Sequence, residues 1–502
     1  SCIIFIRLIF EIEYSKSNRK KYLLNIFLNM TLLSVVCLTK FTYTIVALVI
    51  ISIALIGLVY KKKAKLILYI LLSFISFYFI FWILCGQPFS ALLDYFYYGF
   101  EISSGYTEAM MRRNVYNEIN YGLFAFFVLL FTATSCFLFF FAKKDFYHAL
   151  ILFFTLPLLF MAFKAAFVRA DEHFIAYFYQ LFPVVIFFIF FIVDKSFFCY
   201  KTIGQLFIIC ILSVTTIVMI RHYKEPDSEK YPFIKLLFHD KKSVFENKEL
   251  IRKSYPALST EFLQQTKNKT VDIFPYDISL LYAYDLNWSP RPVFQSYSAY
   301  TPVLDQINAS HFEKDNAPDN IIYSYASIDL RYPLFDEPAV FRTLLKNYEA
   351  QTPDEDYLIL QRRTEKITYD SIPVSSGICP IGTLIDIPQC PGQHIYCNID
   401  ISTHFGGKLI SLLYKPTFIY IYFYVKGQAD PIEHVFVRRL GGEGLFISKY
   451  VDDLSDIYSI FEGNYKQDIE KIKIGVNHNF SYNPDMKYEF YTVPINNFKK
   501  IE

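Results

Sequence analysis

The sequence predicts a polytopic α-helical membrane bundle followed by an extracytoplasmic α/β domain and a β-sandwich. Three observations carry this. Seven stretches of 17 or more residues contain no Asp, Glu, Lys or Arg: Leu23–Thr39, Phe41–Tyr60, Leu66–Leu93, Ile119–Ala142, Phe146–Phe163, Phe174–Val193 and Thr202–Ile220. Each can cross a hydrocarbon layer of about 30 Å at about 1.5 Å per residue. Every second connection is basic: Lys16 with Arg19, Lys20 and Lys21; Lys61, Lys62, Lys63 and Lys65; Lys143 and Lys144; Lys195 and Lys201. After Arg221 the apolar runs shorten and alternate with turn residues.

The bundle is expected over residues 1–220, with about eight helices. Basic connections mark the cytoplasmic side, so the last helix leaves the membrane on the far side and residues 221–502 lie outside the cytoplasm. The first helix, Ser1–Phe10, is incomplete and is interrupted only by Arg7. It shows no n-region and no cleavage site of a signal peptide. The chain therefore reads as N-terminally truncated, lacking one or more helices and the first outer loop. A hydrophobic fraction of 54% fits a membrane protein, and a net charge of +2 argues neither for nor against an acidic partner. The abundance of Phe, Ile, Tyr, Lys and Asn reads as coding bias. Cys2, Cys37, Cys85, Cys136, Cys199 and Cys210 fall in or beside the apolar runs and read as small packing residues. Of Cys379, Cys390 and Cys397, one pair could form a disulfide in an oxidising compartment.

Three outer connections carry chemistry. The stretch from Gly86 to Tyr121 holds Asp94, Glu101, Glu108, Arg112, Arg113 and Glu118 among many tyrosines. Its length and mixed character predict one or two amphipathic helices at the membrane surface. They either cap the bundle or form part of a cavity in which Arg112 or Arg113 faces a phosphate. Lys164–His173 gathers Lys164, Arg169, Asp171, Glu172 and His173 at a turn between apolar runs. Ionisable groups at such depth face a cavity or one another, so this turn is either a self-paired structure or a site. Lys40 sits at the junction of two apolar runs, either reaching for the interface or facing a lipid-linked phosphate.

A many-helix bundle, the Leu38-Thr39-Lys40 junction, an amphipathic outer loop and a C-terminal outer domain together resemble the GT-C superfamily. These are polyprenyl-phosphate-sugar-dependent glycosyltransferases of the protein-mannosyltransferase and aminoarabinose-transferase type. The resemblance covers roughly residues 1–220. The family's Leu-Thr-Lys is typically followed by Gly-Pro, where this chain has Phe41 and Thr42. The resemblance implies a phosphate contact for Lys40. It also implies a general base in a first outer loop, which this chain begins after.

Residues 221–253 read as a connector. Strand-like runs at 271–274, 320–325 and 356–362, with a helix at 338–348 between them, predict a small α/β unit over 254–363. Within it, Asn287–Asn308 contains Arg291 flanked by prolines, then Gln295, Ser296, Tyr297, Tyr300 and Thr301. Arginine, amide and aromatic groups on a stiff loop suit a sugar or phosphosugar. Ile328–Pro338 adds Asp329, Arg331, Asp336 and Glu337. Each cluster taken alone also reads as a loop pinned by Arg–carboxylate pairs. From 364 to 502, Leu409–Val425 and the runs that follow are rich in β-branched and aromatic residues and predict the sandwich.

There is no Walker A loop, no G-x-G-x-x-G opening a helix, no H-E-x-x-H, no G-x-S-x-G and no basic stripe for nucleic acid. The expected function is transfer of a sugar from a lipid-phosphate carrier to a glycan or lipid acceptor on the outer face of a cell membrane. The expected partners are the bilayer, a lipid-linked sugar donor and that acceptor; no cofactor is specified. Asp171, Glu172 and His173 are the candidate catalytic groups. Lys40, Arg112, Arg113, Arg169, Arg291 and Gln295 are the candidate substrate contacts. The alternatives are a non-catalytic glycan- or partner-binding envelope protein, a transporter, and a polysaccharide polymerase.

Overall fold

The computed structural model describes residues 19–60, 62–112, 118–137, 146–169, 177, 213–214, 217–218, 248–351, 353 and 356–495. The chain divides into two compact units, one of residues 1–103 and 110–225, the other of residues 104–109 and 226–502.

The first unit is helical: Arg19–Thr39, Phe41–Tyr60, Ala64–Leu84, most of Ala91–Ala109, Glu118–Phe137 and Phe146–Arg169. Among the described residues two helices, Phe41–Tyr60 and Ala64–Leu84, are long and apolar enough to cross a membrane. The first three helices pack around Ile26, Met30, Leu33, Ala47, Ile50, Ala54, Leu58, Phe74 and Trp82. Small polar side chains join them: Ser34 donates to the Phe74 carbonyl at 3.3 Å and Thr44 to the Cys37 carbonyl at 2.9 Å. Their outward faces stay apolar, with Leu28, Ile56, Val59, Leu68, Leu72 and Ile83 exposed. The expected amphipathic outer segment is the helix Ala91–Ala109. Phe146–Arg169 runs on through Lys164 to Arg169, where a turn was expected from Lys164. The expected runs Ser1–Phe10, Phe174–Val193 and Thr202–Ile220 lie outside the described residues apart from isolated positions.

The second unit is β-rich and holds three sheets. The first has five strands in the order β2-β1-β3-β5-β4: β1 Thr270–Phe274, β2 Asn287–Trp288, β3 Asn320–Tyr323, β4 Tyr348–Ala350 and β5 Leu358–Arg362. β1 runs parallel to β2 and β3, and β5 runs antiparallel to β3 and β4. The helices Pro302–Glu313 and Pro338–Asn347 pack on one another beside it.

The other two sheets are antiparallel. One has the order β10-β9-β12-β7, with β7 Leu384–Asp386, β9 Ile419–Val425, β10 Ile432–Val435 and β12 Ile469–Val476. The other has the order β11-β8-β13-β6, with β6 Ile372–Pro380, β8 Gln393–Thr403, β11 Leu445–Phe446 and β13 Tyr482–Pro494. Ile421, Phe423, Ile472 and Ile474 of one meet Ile395, Cys397, Ile399 and Phe490 of the other in one apolar core. That core continues into Phe274, Phe312, Tyr323 and Leu344 of the mixed α/β layer.

One element differs from expectation. Leu409–Leu413, read as part of a strand run, belongs to the helix Phe405–Leu413; only Ile419–Val425 is strand. Its apolar spacing has a helical period. Gly407 lets it approach the Ser481 backbone so closely that a Cβ would lie 1.9 Å from the Ser481 oxygen. Cys37, Cys85, Cys379, Cys390 and Cys397 are free thiols.

Candidate functional site

A recess with mixed chemistry lies in the second unit, between the helix Pro338–Asn347 and the β8–β13 face. Pro338 opens the helix, and the buried Asp305 carboxylate accepts the Ala339 and Val340 amides at 2.9 and 3.2 Å. An acid there satisfies unpaired amides and complements the helix dipole. Burial nevertheless pushes the Asp305 pKa well up, aided by nearby Glu337. One face of the helix enters the core through Val340, Phe341, Leu344 and Leu345. Arg342 and Lys346, four residues apart, therefore share another face.

The opposite wall follows from strand alternation. On β8, Tyr396 and Asn398 line the recess between the core residues Ile395, Cys397 and Ile399, and Tyr396 is itself fully buried against that core. On β13, Glu489, Tyr491 and Val493 line the recess, Val493 also packing into the core. The register pairs Tyr491 with Tyr396 and Glu489 with Asn398. The two tyrosine rings stack with centroids 5.4 Å apart, and the Asn398 amide donates to Glu489 at 3.5 Å. With Tyr369, Ser371, Pro373 and Gly442 they line a half-open recess of about 340 Å³, at the low end of the range of small-ligand sites.

Arg342 donates to the Tyr491 hydroxyl at 3.1 Å. The Lys346 ammonium lies 4.6 Å from the centre of the Tyr369 ring, a cation–π distance. Gly444, at φ +77°, leaves room for the Arg342–Tyr491 pair; a Cβ there would lie 2.1 Å from the tyrosine oxygen. Burial lowers the Lys346 pKa, Arg342 lowers it further, and Glu313 opposes them. Burial raises that of Tyr491, against Arg342. The recess gathers two cations, three tyrosines and an amide–carboxylate pair.

Compared with known proteins, the chain matches no family model, no curated protein and no solved structure.

The residues expected from sequence fall elsewhere. Arg291 is 1% exposed. Its guanidinium donates to Asp272 at 2.9 Å, to the Ile273 and Pro275 carbonyls at 2.7 Å, to the Phe294 carbonyl at 3.0 Å and to Ser296 at 3.1 Å. It also lies over the Phe274 ring and pairs with Glu337 at 3.8 Å. No face remains for a sugar, so the expected substrate contact gives way to an interior strut. The Ile328–Pro338 cluster does meet the Arg291 loop, through Arg291–Glu337 and through Arg331, which donates to the Tyr297 carbonyl at 3.0 Å. The meeting is a pinned loop: Asn308 and Asp336 also take part in it. Gln295 is half-buried beside a 3₁₀ turn, without a side-chain cap bond.

In the first unit, Lys40 is exposed between two helices, its carbonyl accepting the Tyr43 amide at 2.9 Å. The Arg112 amide donates to the Val168 carbonyl at 3.3 Å, and Arg169 lies 3.9 Å from the Met110 sulfur. These contacts bring the Arg112 and Arg169 segments together. Arg113, Asp171, Glu172 and His173 lie outside the described residues. Among the described residues, no His, Cys, Asp and Glu cluster could hold a metal ion. Sequence reasoning missed Arg342, Lys346 and Tyr491. The i, i+4 cations on a helix with one apolar face were the available signal; the strands they face are far away in sequence.

Proposed function

We propose that this chain is a membrane-anchored, glycan-handling protein whose Arg342–Lys346 cleft takes the anionic part of a saccharide. The carrying observation is two cations one helical turn apart, set with tyrosine rings and the Asn398–Glu489 pair around one recess. Charge-assisted hydrogen bonds from Arg342 and Lys346 suit a carboxylate or phosphate. Ring faces suit the C–H faces of a sugar, and Asn398 and Glu489 suit its hydroxyls. Helices with apolar side chains on their outward faces support the membrane part of the reading. The full reading is a polytopic bundle with residues 221–502 outside the cytoplasm.

The test is titration of the full chain in nanodiscs with acidic and matched neutral oligosaccharides. Acidic ligands should bind more tightly. Arg342→Ala and Lys346→Ala should each weaken them about ten- to a hundredfold, since one charged hydrogen bond contributes about 1.5–3 kcal/mol. Unchanged affinity in both variants would sink the proposal.

A catalytic reading, transfer from a lipid-phosphate sugar of GT-C type, is favoured by the Arg112–Val168 and Arg169–Met110 contacts. Two cation-bearing segments there could serve one leaving phosphate. Loss of transfer from a labelled lipid-phosphate sugar in Arg169→Ala, at unchanged abundance, is the expected result. Equal loss of abundance would make Arg169 structural.

A further inference from the structure

We infer that the helix Phe405–Leu413 is a docking surface for an anionic phospholipid bilayer. The nine-residue helix is amphipathic in the inverted sense. At about 3.6 residues per turn, Phe405, Leu409, Leu412 and Leu413 fall within roughly 100° of its circumference. Gly407 lies nearly opposite, and it is the only buried residue of the helix. Its missing side chain seats the helix on the Ser481 backbone. The apolar stripe therefore faces away from the body of the unit, with Phe405 83%, Leu409 47%, Leu412 62% and Leu413 53% exposed. Phe480, next to the seating residue Ser481, adds a 67% exposed ring.

A helix anchored by its small face and presenting its large apolar face has the layout of an interfacial membrane helix. Charge selects lipid over a protein partner. From Ile401 to Ala429 there are three lysines (Lys408, Lys415 and Lys426) and no Asp or Glu. Lys408 is exposed on the flank of the stripe. Lys415 lies at its end, over the rings of Tyr414 and Phe418 at 5.4 and 5.9 Å. An aromatic and basic border around aliphatic side chains matches an anionic headgroup layer over acyl chains. The same chain carries two helices long and apolar enough to cross a membrane, which would hold this unit near a lipid surface.

The experiment uses the full chain in nanodiscs containing anionic lipid, part of it brominated on the acyl chain, with Leu412→Trp. Emission is read against the parent chain, whose Trp82 and Trp288 set the background. The added signal should be blue-shifted and lost on bromination. The matched variant Ile378→Trp, at a 68% exposed position on strand β6, should keep its signal. Emission as in water would overturn the proposal. So would a blue shift without quenching, because protein would then cover the stripe. Equal quenching at both positions would remove its specificity, and equal quenching in purely zwitterionic discs would overturn the assignment to an anionic surface.

Discussion

Arg291 and Arg342 show how little residue type says about role. Both are arginines beside aromatic rings and carboxylates, yet one is an interior strut and the other lines a cleft. Removing Arg291 leaves Asp272 and Glu337 buried without their cation. Arg291→Ala should therefore cost about 3–5 kcal/mol of stability. Urea unfolding followed through Trp288, whose indole donates to Asp272 at 3.0 Å, would measure it. Lys346 gives a pH prediction. Its pKa lies below the ordinary 10.5, chiefly through burial. The charged form is thus lost at lower pH than in a free lysine, and affinity for an anionic saccharide should fall as pH rises through that lowered value. Lys346→Arg stays charged throughout and should hold its affinity in the same alkaline window. Parallel pH profiles for the two proteins would refute this.

At the scale of elements, the helix Pro338–Asn347 was legible because Pro338 starts it and its apolar positions recur with helical spacing. Strands β1, β3, β5, β9, β12 and β13 were legible from β-branched and aromatic runs. Phe405–Leu413 was not. An apolar run next to a strand reads as strand when its side chains are assumed to enter the core, and here they stay outside. The seat at Gly407 is the physical cause. In Gly407→Val, the added atoms would overlap the Ser481 backbone, and overpacking of that kind costs about 1–3 kcal/mol. The helix should lift from its seat, and trypsin should cut faster after Lys408 in detergent-solubilised protein. An unchanged cleavage rate and unfolding midpoint would show that the seat is dispensable.

At the scale of the whole molecule, the alternation of basic and non-basic connections makes a prediction that stands apart from the cleft. A reporter active only outside the cytoplasm, fused after Ile220, should be active. A reporter active only inside, fused within Lys61–Lys65, should be active too. The reverse pattern would invert the orientation and place the cleft of the second unit on the cytoplasmic side.

Sequence alone determined the division into apolar helices and a β-rich remainder, because charge exclusion over membrane-length runs and the periods of side-chain alternation are local properties. It also marked Arg291, Arg331, Asp336 and Glu337 as charged groups needing partners. Only the tertiary structure decided that those groups satisfy one another, and that Arg342, Lys346 and Tyr491 line one recess between the Pro338–Asn347 helix and the β8–β13 face. A cation's role depends on which distant wall it meets. Tyr491 reaches Arg342 across 149 residues, a pairing set by sheet register and helix packing, which no local pattern encodes.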